Sequence, residues 1–196
     1  MSSEGTRAIG GILYIRPVGG IDEGVLAWLA RDIESALEVG VKTTGNMPIP
    51  DHSFEVDRDQ YHSTKILKEL VRGAPPDSFR ILGVTEKDLC IPILTFVYGE
   101  AQLNGVGALV SLARLRQEFY GVRPDEDIFR DRLHKEALHE LGHTFGLVHC
   151  SLVKCLMYLS NTILDVDRKS RAFCRHCQQT LDSKIGQGRI SRWTRR

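Results

Sequence analysis

The chain has 196 residues, of which 42% are hydrophobic and 26% charged, and its formal net charge is +1 at pH 7. This composition is typical of a globular protein with one hydrophobic core, and the near-neutral charge excludes a polybasic nucleic-acid binder as the main class. No stretch approaches the roughly 20 apolar residues of a membrane span, and no apolar signal-peptide core precedes the first predicted strand, so we expect a cytoplasmic protein without a membrane partner.

The first half of the chain alternates between predicted strands and helices. Residues 9–15 form the first predicted strand, and residues 22–37 place apolar side chains at helical spacing. Residues 39–44 and 79–84 are further predicted strands, with an amphipathic helix near 59–72 between them. The fold therefore opens with a βα unit and is expected to belong to the α/β class.

A predicted hairpin follows, in which one strand should be antiparallel. Residues 94–103 and 106–112 are rich in β-forming side chains and are joined by Asn104-Gly105, the dipeptide best suited to a type I′ turn. Gly99 and Glu100 interrupt the first run, which favours an exposed edge strand over a central one. An open edge can bind an extended peptide through backbone hydrogen bonds, although a plain surface hairpin would give the same pattern.

The most informative stretch is the motif that starts at His139. A helix is expected to begin near residues 124–127 and to end at Gly146. His139 and His143 are four residues apart, so both imidazoles lie on one helix face and can bind one metal ion. Glu140 lies beside that face, where its carboxylate can hold a water molecule as a general base.

The third histidine can join the first two only if the helix stops. In a continuous helix His149 would lie about 9 Å beyond His143, too far to share an ion with it. Gly146 can end the helix, because glycine adopts positive φ without steric cost and lets the chain turn back. Three protein ligands leave one coordination position for water, as in a hydrolytic zinc site, whereas the alternative is a surface helix with solvated histidines.

Four of the five cysteines cluster near the C-terminus, at a spacing that suits tetrahedral zinc in a reducing compartment. Disulfides are the alternative, but two tightly spaced pairs without any sign of secretion favour a metal. Cys90 lies in an apolar run and is expected to be a buried thiol. The clustered cysteines are Cys150, Cys155, Cys174 and Cys177.

Taken together, the string that runs from His139 through Cys150, Cys155 and Met157 to Cys177 resembles the archaemetzincin family of zinc metallopeptidases. The resemblance implies a metzincin-like zincin catalytic domain, in which helices that include the HExxH active-site helix pack on a twisted, mostly parallel sheet with one antiparallel edge strand. Residues 96–101 are similar to the edge strand of the family.

The resemblance also assigns roles to individual residues. It implies that His139, His143 and His149 bind a catalytic zinc ion and that Glu140 is the general base and acid. It implies an apolar Met-turn at Met157, which would otherwise be interpreted as a core methionine. It further implies a second, structural zinc ion bound by Cys150, Cys155, Cys174 and Cys177, which gives two zinc ions per chain.

These observations predict a single domain over residues 1–196, with an N-terminal subdomain at 8–147 and a C-terminal subdomain at 148–196. The expected function is hydrolysis of peptide or protein substrates. One alternative is a zinc-stabilised binding or regulatory protein whose catalytic site is silent or latent. A weaker alternative is a zinc-ribbon-like nucleic-acid binder that uses the four cysteines and the basic tail. We expect no nucleic-acid partner, since the basic tail at 189–196 is typical of a solvated terminus. The oligomeric state is left open, with a monomer as the expectation, and His134 and His176 are expected to be exposed.

Overall fold

The computed structural model describes residues 11–190, with side chains as far as residue 185. Residues 9 and 10 of the first predicted strand and most of the basic tail therefore lie outside the described residues. The elements, in chain order, are β1 (Ile12–Val18), α1 (Glu23–Leu37), β2 (Val41–Thr43), β3 (Phe54–Glu55), β4 (Gln60–His62), α2 (Ser63–Arg72), β5 (Ser78–Thr85), β6 (Leu89–Ile91), β7 (Leu94–Val97), β8 (Gly99–Ala101), β9 (Gly107–Ser111), α3 (Glu126–Thr144), α4 (Ile163–Arg168) and α5 (Arg175–Ile190).

The main sheet has five strands in the order β2-β1-β5-β9-β8. The first four strands are parallel, and β8 pairs antiparallel with β9 at one edge. Helix α3 packs against β8 and β9, which places the helix that carries the histidine motif beside this edge. The predicted α/β class and the mostly parallel sheet with an antiparallel edge strand are confirmed.

A second, smaller sheet was not predicted. It has four strands in the order β3-β4-β6-β7. The predicted strand at 94–103 is therefore two strands, because β7 pairs with β6 while β8 pairs with β9. Tyr98 lies between them, and its carbonyl still accepts a hydrogen bond from the Ser111 amide at 2.8 Å.

The hairpin turn differs in detail from the sequence expectation. Asn104 has a φ of 56°, but Gly105 is not among the residues with positive φ, so the turn is not type I′. The Gly105 amide donates to the Gln102 carbonyl at 2.9 Å, and the Asn104 amide donates to the His143 carbonyl at 3.0 Å. The hairpin is thus anchored to the end of α3, a tertiary contact that local turn preferences do not contain.

The helices bury the apolar faces that their spacing predicts, with one exception on α3. Leu133, Ala137, Leu138 and Leu141 are buried as expected, but Ile128 is 37% exposed and its neighbour Phe129 is buried instead. The main core extends from β1 to α5. Cys90, in β6 of the small sheet, is buried as predicted. Among the described residues, no helix combines the length and the apolar character needed to cross a bilayer.

Candidate functional site

The C-terminus of α3 brings the motif histidines to one place. Asp125 caps the other end of this helix, where its side chain accepts from the amides of Asp127 and Ile128. At the C-terminus the Gly146 amide donates to the His143 carbonyl at 2.9 Å and the Leu147 amide donates to the Gly142 carbonyl at 3.1 Å. This is a Schellman motif, with Gly146 at a φ of +87°. The helix stops where the sequence predicted, and the chain turns back toward His139.

The first two histidines are oriented by backbone carbonyls. His139 Nδ1 donates to the Leu156 carbonyl at 3.0 Å, and His143 Nδ1 donates to the Leu147 carbonyl at 2.8 Å. Both Nε2 atoms therefore carry lone pairs, yet they lie only 3.2 Å apart. Two facing lone pairs repel each other unless a cation lies between them. Ligands bound tetrahedrally at 2.0–2.1 Å lie about 3.3–3.4 Å apart, so this pair fits zinc.

His149 completes the cluster from beyond the glycine turn. Its ring centroid lies 5.3 Å from that of His139 and 4.9 Å from that of His143. One ring nitrogen from each of the three residues lies within 4.8 Å of the others. Burial lowers the pKa of all three imidazoles, most strongly for His139, and the nearby Lys169 ammonium lowers them further. The site thus keeps its imidazoles neutral, the form that binds a metal.

Glu140 lies beside the histidines and is buried. Burial raises its pKa well above the usual range, and the neighbouring carboxylates of Glu136 and Glu100 raise it further, while Lys169 opposes them. A divalent cation nearby would favour the charged form of this carboxylate. The carboxyl group is thus suited to a site in which a metal ion compensates its burial.

The edge strand approaches Glu140 closely at Gly99. A Cβ atom on Gly99 would lie 2.6 Å from Glu140 Cγ and 2.5 Å from the Leu109 carbonyl oxygen. Glycine is therefore required at this position for the strand and the carboxylate to lie side by side. In the sequence, Gly99 indicates only an edge strand, and its contact with Glu140 depends on the tertiary fold.

Met157 packs against helix α3 at Gly142. Its side chain is buried, and its sulfur would lie 2.6 Å from a Cβ atom placed on Gly142, in the middle of the HExxH motif. The preceding residue, Leu156, provides the carbonyl that orients His139. Leu156 and Met157 thus contact the helix in two ways: the Leu156 carbonyl orients His139, and the Met157 side chain packs against Gly142.

Two charged residues close to the histidines were not identified from the sequence. Lys169 Nζ lies 2.7 Å from Glu136 Oε1, and the two side chains are 0% and 3% exposed. Lys169 Nζ also lies 3.5 Å from His139 Nδ1. The position of Glu136 one turn before Glu140 was the available signal, because it places both carboxylates on one helix face. The partner at position 169 is too distant in sequence to be predicted.

The four clustered cysteines also converge. One sulfur from each lies within 4.8 Å of the others, and the sulfurs of Cys150 and Cys174 are 3.9 Å apart. Thiolates bound tetrahedrally at about 2.3 Å lie about 3.8 Å apart, so this cluster fits zinc as well. Hydrogen bonds from the neighbouring backbone and thiols lower the pKa of Cys174 to about 7, which favours the thiolate that a metal requires.

The histidine cluster opens into a cavity of about 530 Å³. Residues 94–101 of the β7–β8 region form one wall, and Leu159, Ser160 and Asn161 contribute to another. Four aliphatic side chains that line this cavity are exposed, namely Leu94, Leu103, Val148 and Leu159. The cavity therefore has an apolar rim around a polar centre and an open sheet edge along its side.

The expectation for His134 was wrong, whereas His176 is exposed as expected. His134 is buried, with its Nδ1 2.6 Å from Asp32 Oδ2 and its Nε2 2.9 Å from the Arg171 carbonyl. It therefore joins α3 to α1 and to the segment after α4. The error arose because its partners are far away in sequence.

Comparisons with known proteins agree with this geometry. The family described as Peptidase family M54 matches residues 36–183. An archaemetzincin from Methanocaldococcus jannaschii is 41% identical over 88% of this chain and 93% of its own length. The crystal structure of archaemetzincin from Methanopyrus kandleri superposes with a TM-score of 0.81 at 36% identity, covering 92% of this chain and 98% of that one. A zinc-dependent peptidase from Methanocorpusculum labreanum gives a TM-score of 0.78 at 31% identity, covering 86% and 99%.

Zinc is the cofactor of this family, and the three-histidine and four-cysteine clusters provide one site each for two zinc ions per chain. The substrates are peptides or proteins. The chain therefore belongs to peptidase family M54, the archaemetzincins, and is a zinc metallopeptidase.

Proposed function

We propose that the chain hydrolyses peptide bonds in the cavity at the C-terminus of α3, with Glu140 as general base and then general acid. The observation that carries this proposal is the convergence of three neutral imidazoles and one buried carboxylate on a cavity that runs along an open sheet edge. Such a combination is required for metal-assisted hydrolysis and serves no evident purpose in a packed core.

The proposed ligands of the catalytic zinc are His139, His143 and His149. The support is the shared orientation of the first two Nε2 atoms, each fixed by a carbonyl that binds the opposite ring nitrogen. A zinc ion held by three imidazoles supplies a Lewis acid for the scissile carbonyl and makes a water molecule acidic near neutral pH. Gly146 is the residue that lets the third imidazole reach the same point.

Glu140 moves the proton in the proposed reaction. Its carboxylate accepts a proton from the attacking water and then delivers it to the leaving amine nitrogen. The raised pKa of the buried carboxyl group supports this role, because a group that holds its proton firmly is a good base when ionised. Gly99 gives the carboxylate room beside the edge strand.

The substrate is proposed to bind as an extended strand along β8. Within residues 11–190 this strand pairs only with β9, and its other edge is proposed to provide backbone hydrogen bonds to the substrate. Residues 94–101 line the cavity, and its exposed aliphatic rim would contact apolar side chains of an extended peptide. A peptide bound in this way passes directly over Glu140.

The second zinc is proposed to be structural and to be bound by Cys150, Cys155, Cys174 and Cys177. Two of these thiols, those of Cys155 and Cys177, are buried in the main core. We further propose one domain over residues 1–196, with subdomains at 8–147 and 148–196 on the two sides of the cavity. The cavity lining includes residues from both ranges, and one core cluster extends from Leu13 to Ile185, which supports this division.

The test is Glu140→Gln in the zinc-loaded protein. This variant should retain both zinc ions, since Glu140 is not a proposed ligand, but kcat for a peptide substrate should fall by about 10²- to 10⁴-fold. Zinc is measured by elemental analysis and turnover with a quenched fluorescent peptide library, with a chelator control. Unchanged turnover would remove Glu140 from the reaction, and a loss of zinc would assign it a different role.

A further inference from the structure

The side chain of Glu100 on the edge strand β8 has no role in the two metal clusters or in the proposed proton transfer. Its carboxylate accepts hydrogen bonds from the hydroxyls of Ser63 and Thr64, with Thr64 Oγ1 2.8 Å from Oε1 and 2.9 Å from Oε2. Ser63 and Thr64 are the first two residues of α2, and Ser63 is fully buried. Glu100 thus joins the edge strand to the start of a helix from an earlier part of the chain.

The same contact is favourable for α2. His62, the residue before this helix, makes no side-chain capping hydrogen bond, and the first turn of α2 contains no acidic residue. The N-terminal end of a helix carries a partial positive charge and stabilises a carboxylate that lies close to it. Glu100 supplies this negative charge from β8, so the link stabilises both the strand and the helix.

Strand β8 lies between two helices, and its successive residues face opposite ones. Gly99 pairs with Val110, which belongs to the core cluster that includes the buried face of α3. Glu100 pairs with Leu109, which packs in the second cluster with the buried face of α2. Directly paired residues point to the same face of a sheet. Gly99 therefore faces α3 and Glu140, whereas Glu100 faces α2.

The position of β8 depends on these contacts because the strand is short. It has three residues and, within residues 11–190, pairs with one neighbouring strand. The close contact at Gly99 limits how near the strand can come to Glu140, but it does not hold the strand in place. The hydrogen bonds of Glu100 act from the opposite face and provide that hold.

We propose that Glu100 is a positioning residue for the substrate. Its bonds to Ser63 and Thr64 fix the outer edge of β8 where an extended peptide can pair with the strand and reach Glu140. This inference rests on the proposed function, since it takes the peptide to lie along β8. Because Glu100 acts through the strand, loss of its contact should weaken peptide binding rather than slow the cleavage of the bound peptide.

The test compares Glu100→Ala with Glu100→Gln. Both variants remove the same negative charge, but the glutamine amide oxygen can still accept from the two hydroxyls. With the best-cleaved peptide of a quenched library, Glu100→Ala should raise KM by about 3- to 10-fold, the effect of one net hydrogen bond, whereas Glu100→Gln should stay within about 2-fold of wild type. The two variants should have similar kcat, since each removes the same charge from the vicinity of Glu140.

Glu55→Ala is the matched control. Glu55 also binds α2, through Lys65 at 2.8 Å, but it does so from β3 of the small sheet. Its removal should leave KM at the wild-type value. An increase equal to that of Glu100→Ala would show that any loosening of α2 weakens peptide binding and would overturn the specific role of Glu100.

A mutant cycle identifies the partners of Glu100. Ser63→Ala combined with Thr64→Val removes both hydroxyls and should raise KM as much as Glu100→Ala does. Adding Glu100→Ala to this pair should raise KM no further, because the three side chains act through one contact. Additive increases would overturn the proposed link between the strand and the helix.

Hydrogen exchange provides a readout that does not depend on turnover. In zinc-loaded protein without peptide, the amides of residues 99–101 should exchange about 3- to 10-fold faster in Glu100→Ala than in wild type or Glu100→Gln, since the strand loses its anchor. An unchanged KM in Glu100→Ala, no rescue by Glu100→Gln, or unchanged exchange would overturn the inference. Absence of zinc-dependent cleavage would instead overturn the proposed function, and the exchange rates would still decide whether Glu100 holds the strand.

Discussion

Gly99 and Glu140 show how a single hydrogen atom in place of a methyl group can determine the position of a reacting side chain. A Cβ atom at Gly99 would lie 2.5 Å from the Leu109 carbonyl oxygen and 2.6 Å from Glu140 Cγ. The first neighbour is backbone of the adjacent strand and cannot rotate away. Any side chain at position 99 must therefore displace the edge strand, the carboxylate or both.

Gly99→Ala is accordingly expected to lower kcat by about 100-fold, because a shift of roughly 1 Å in a reacting group can cost that much. Both zinc ions should remain bound, since no proposed ligand is touched. Gly45→Ala is the matched control, because a Cβ atom there has nothing within 4 Å. Peptide turnover and zinc content measured side by side check the prediction. Normal turnover in Gly99→Ala would show that the carboxylate tolerates displacement.

At this scale the sequence predicted which residues converge but not what surrounds them. The convergence of His139, His143 and His149 can be predicted from their spacing, because helix pitch and one glycine turn determine where the imidazoles meet. The ion pair of Lys169 with Glu136 and the burial of His134 depend on contacts between segments far apart in sequence. Local patterns contain no information about such contacts.

The C-terminus of α3 is held by more than its own glycine turn. Arg80 on β5 donates from Nη2 to the Thr144 carbonyl at 3.1 Å and from Nε to the Thr144 hydroxyl at 3.0 Å. Its guanidinium lies 4.5 Å from the ring centroids of both Phe79 and Phe145. Burial lowers the pKa of this arginine to about 10, so the group remains charged at neutral pH. A cation at this end of the helix also interacts favourably with the helix dipole.

Arg80→Lys should lower the free energy of unfolding by about 1.5–3 kcal/mol, because an ammonium cannot reproduce the planar, two-nitrogen contact and the stacking between rings. Urea denaturation of the zinc-loaded protein measures the effect. Arg130→Lys, on the exposed side of the same helix, should change stability by less than about 0.5 kcal/mol. Equal effects of the two substitutions would show that Arg80 does not support the helix end.

The elements themselves were predictable to different degrees. Helices α1, α2 and α3 follow from apolar spacing and helix-ending signals, and β1, β5 and β9 follow from short apolar runs. The small sheet was missed because its strands have two to four residues and gain their stability from pairing rather than from local preference. The same reason explains why β7 and β8 were predicted as one strand.

On the scale of the whole molecule, the two metal sites share one loop. Cys150 and Cys155 lie at the two ends of a short loop, and Cys155 directly precedes Leu156. The Leu156 carbonyl orients His139. The Cys150 amide donates to the Met157 carbonyl at 2.9 Å, which closes the loop on itself. Cys150 also directly follows His149. Support of the histidine cluster therefore depends on the cysteine cluster through covalent neighbours and through one short loop.

Cys155→Ala is expected to affect both sites for this reason. Zinc should fall from two ions to one or fewer per chain. The free energy of unfolding should fall by about 4 kcal/mol at a free zinc concentration a thousandfold above the dissociation constant of the wild-type site. Zinc bound to the folded state contributes that amount to stability, and the variant lacks it. Peptide turnover should also fall, although no proposed catalytic residue is changed, because Leu156 and Met157 lose the anchor of their loop. Cys90→Ala is the matched control: its thiol is buried but lies outside the cluster, so both zinc ions and turnover should be retained. Full turnover in Cys155→Ala with one zinc ion bound would mean that the histidine cluster is built without help from the cysteines.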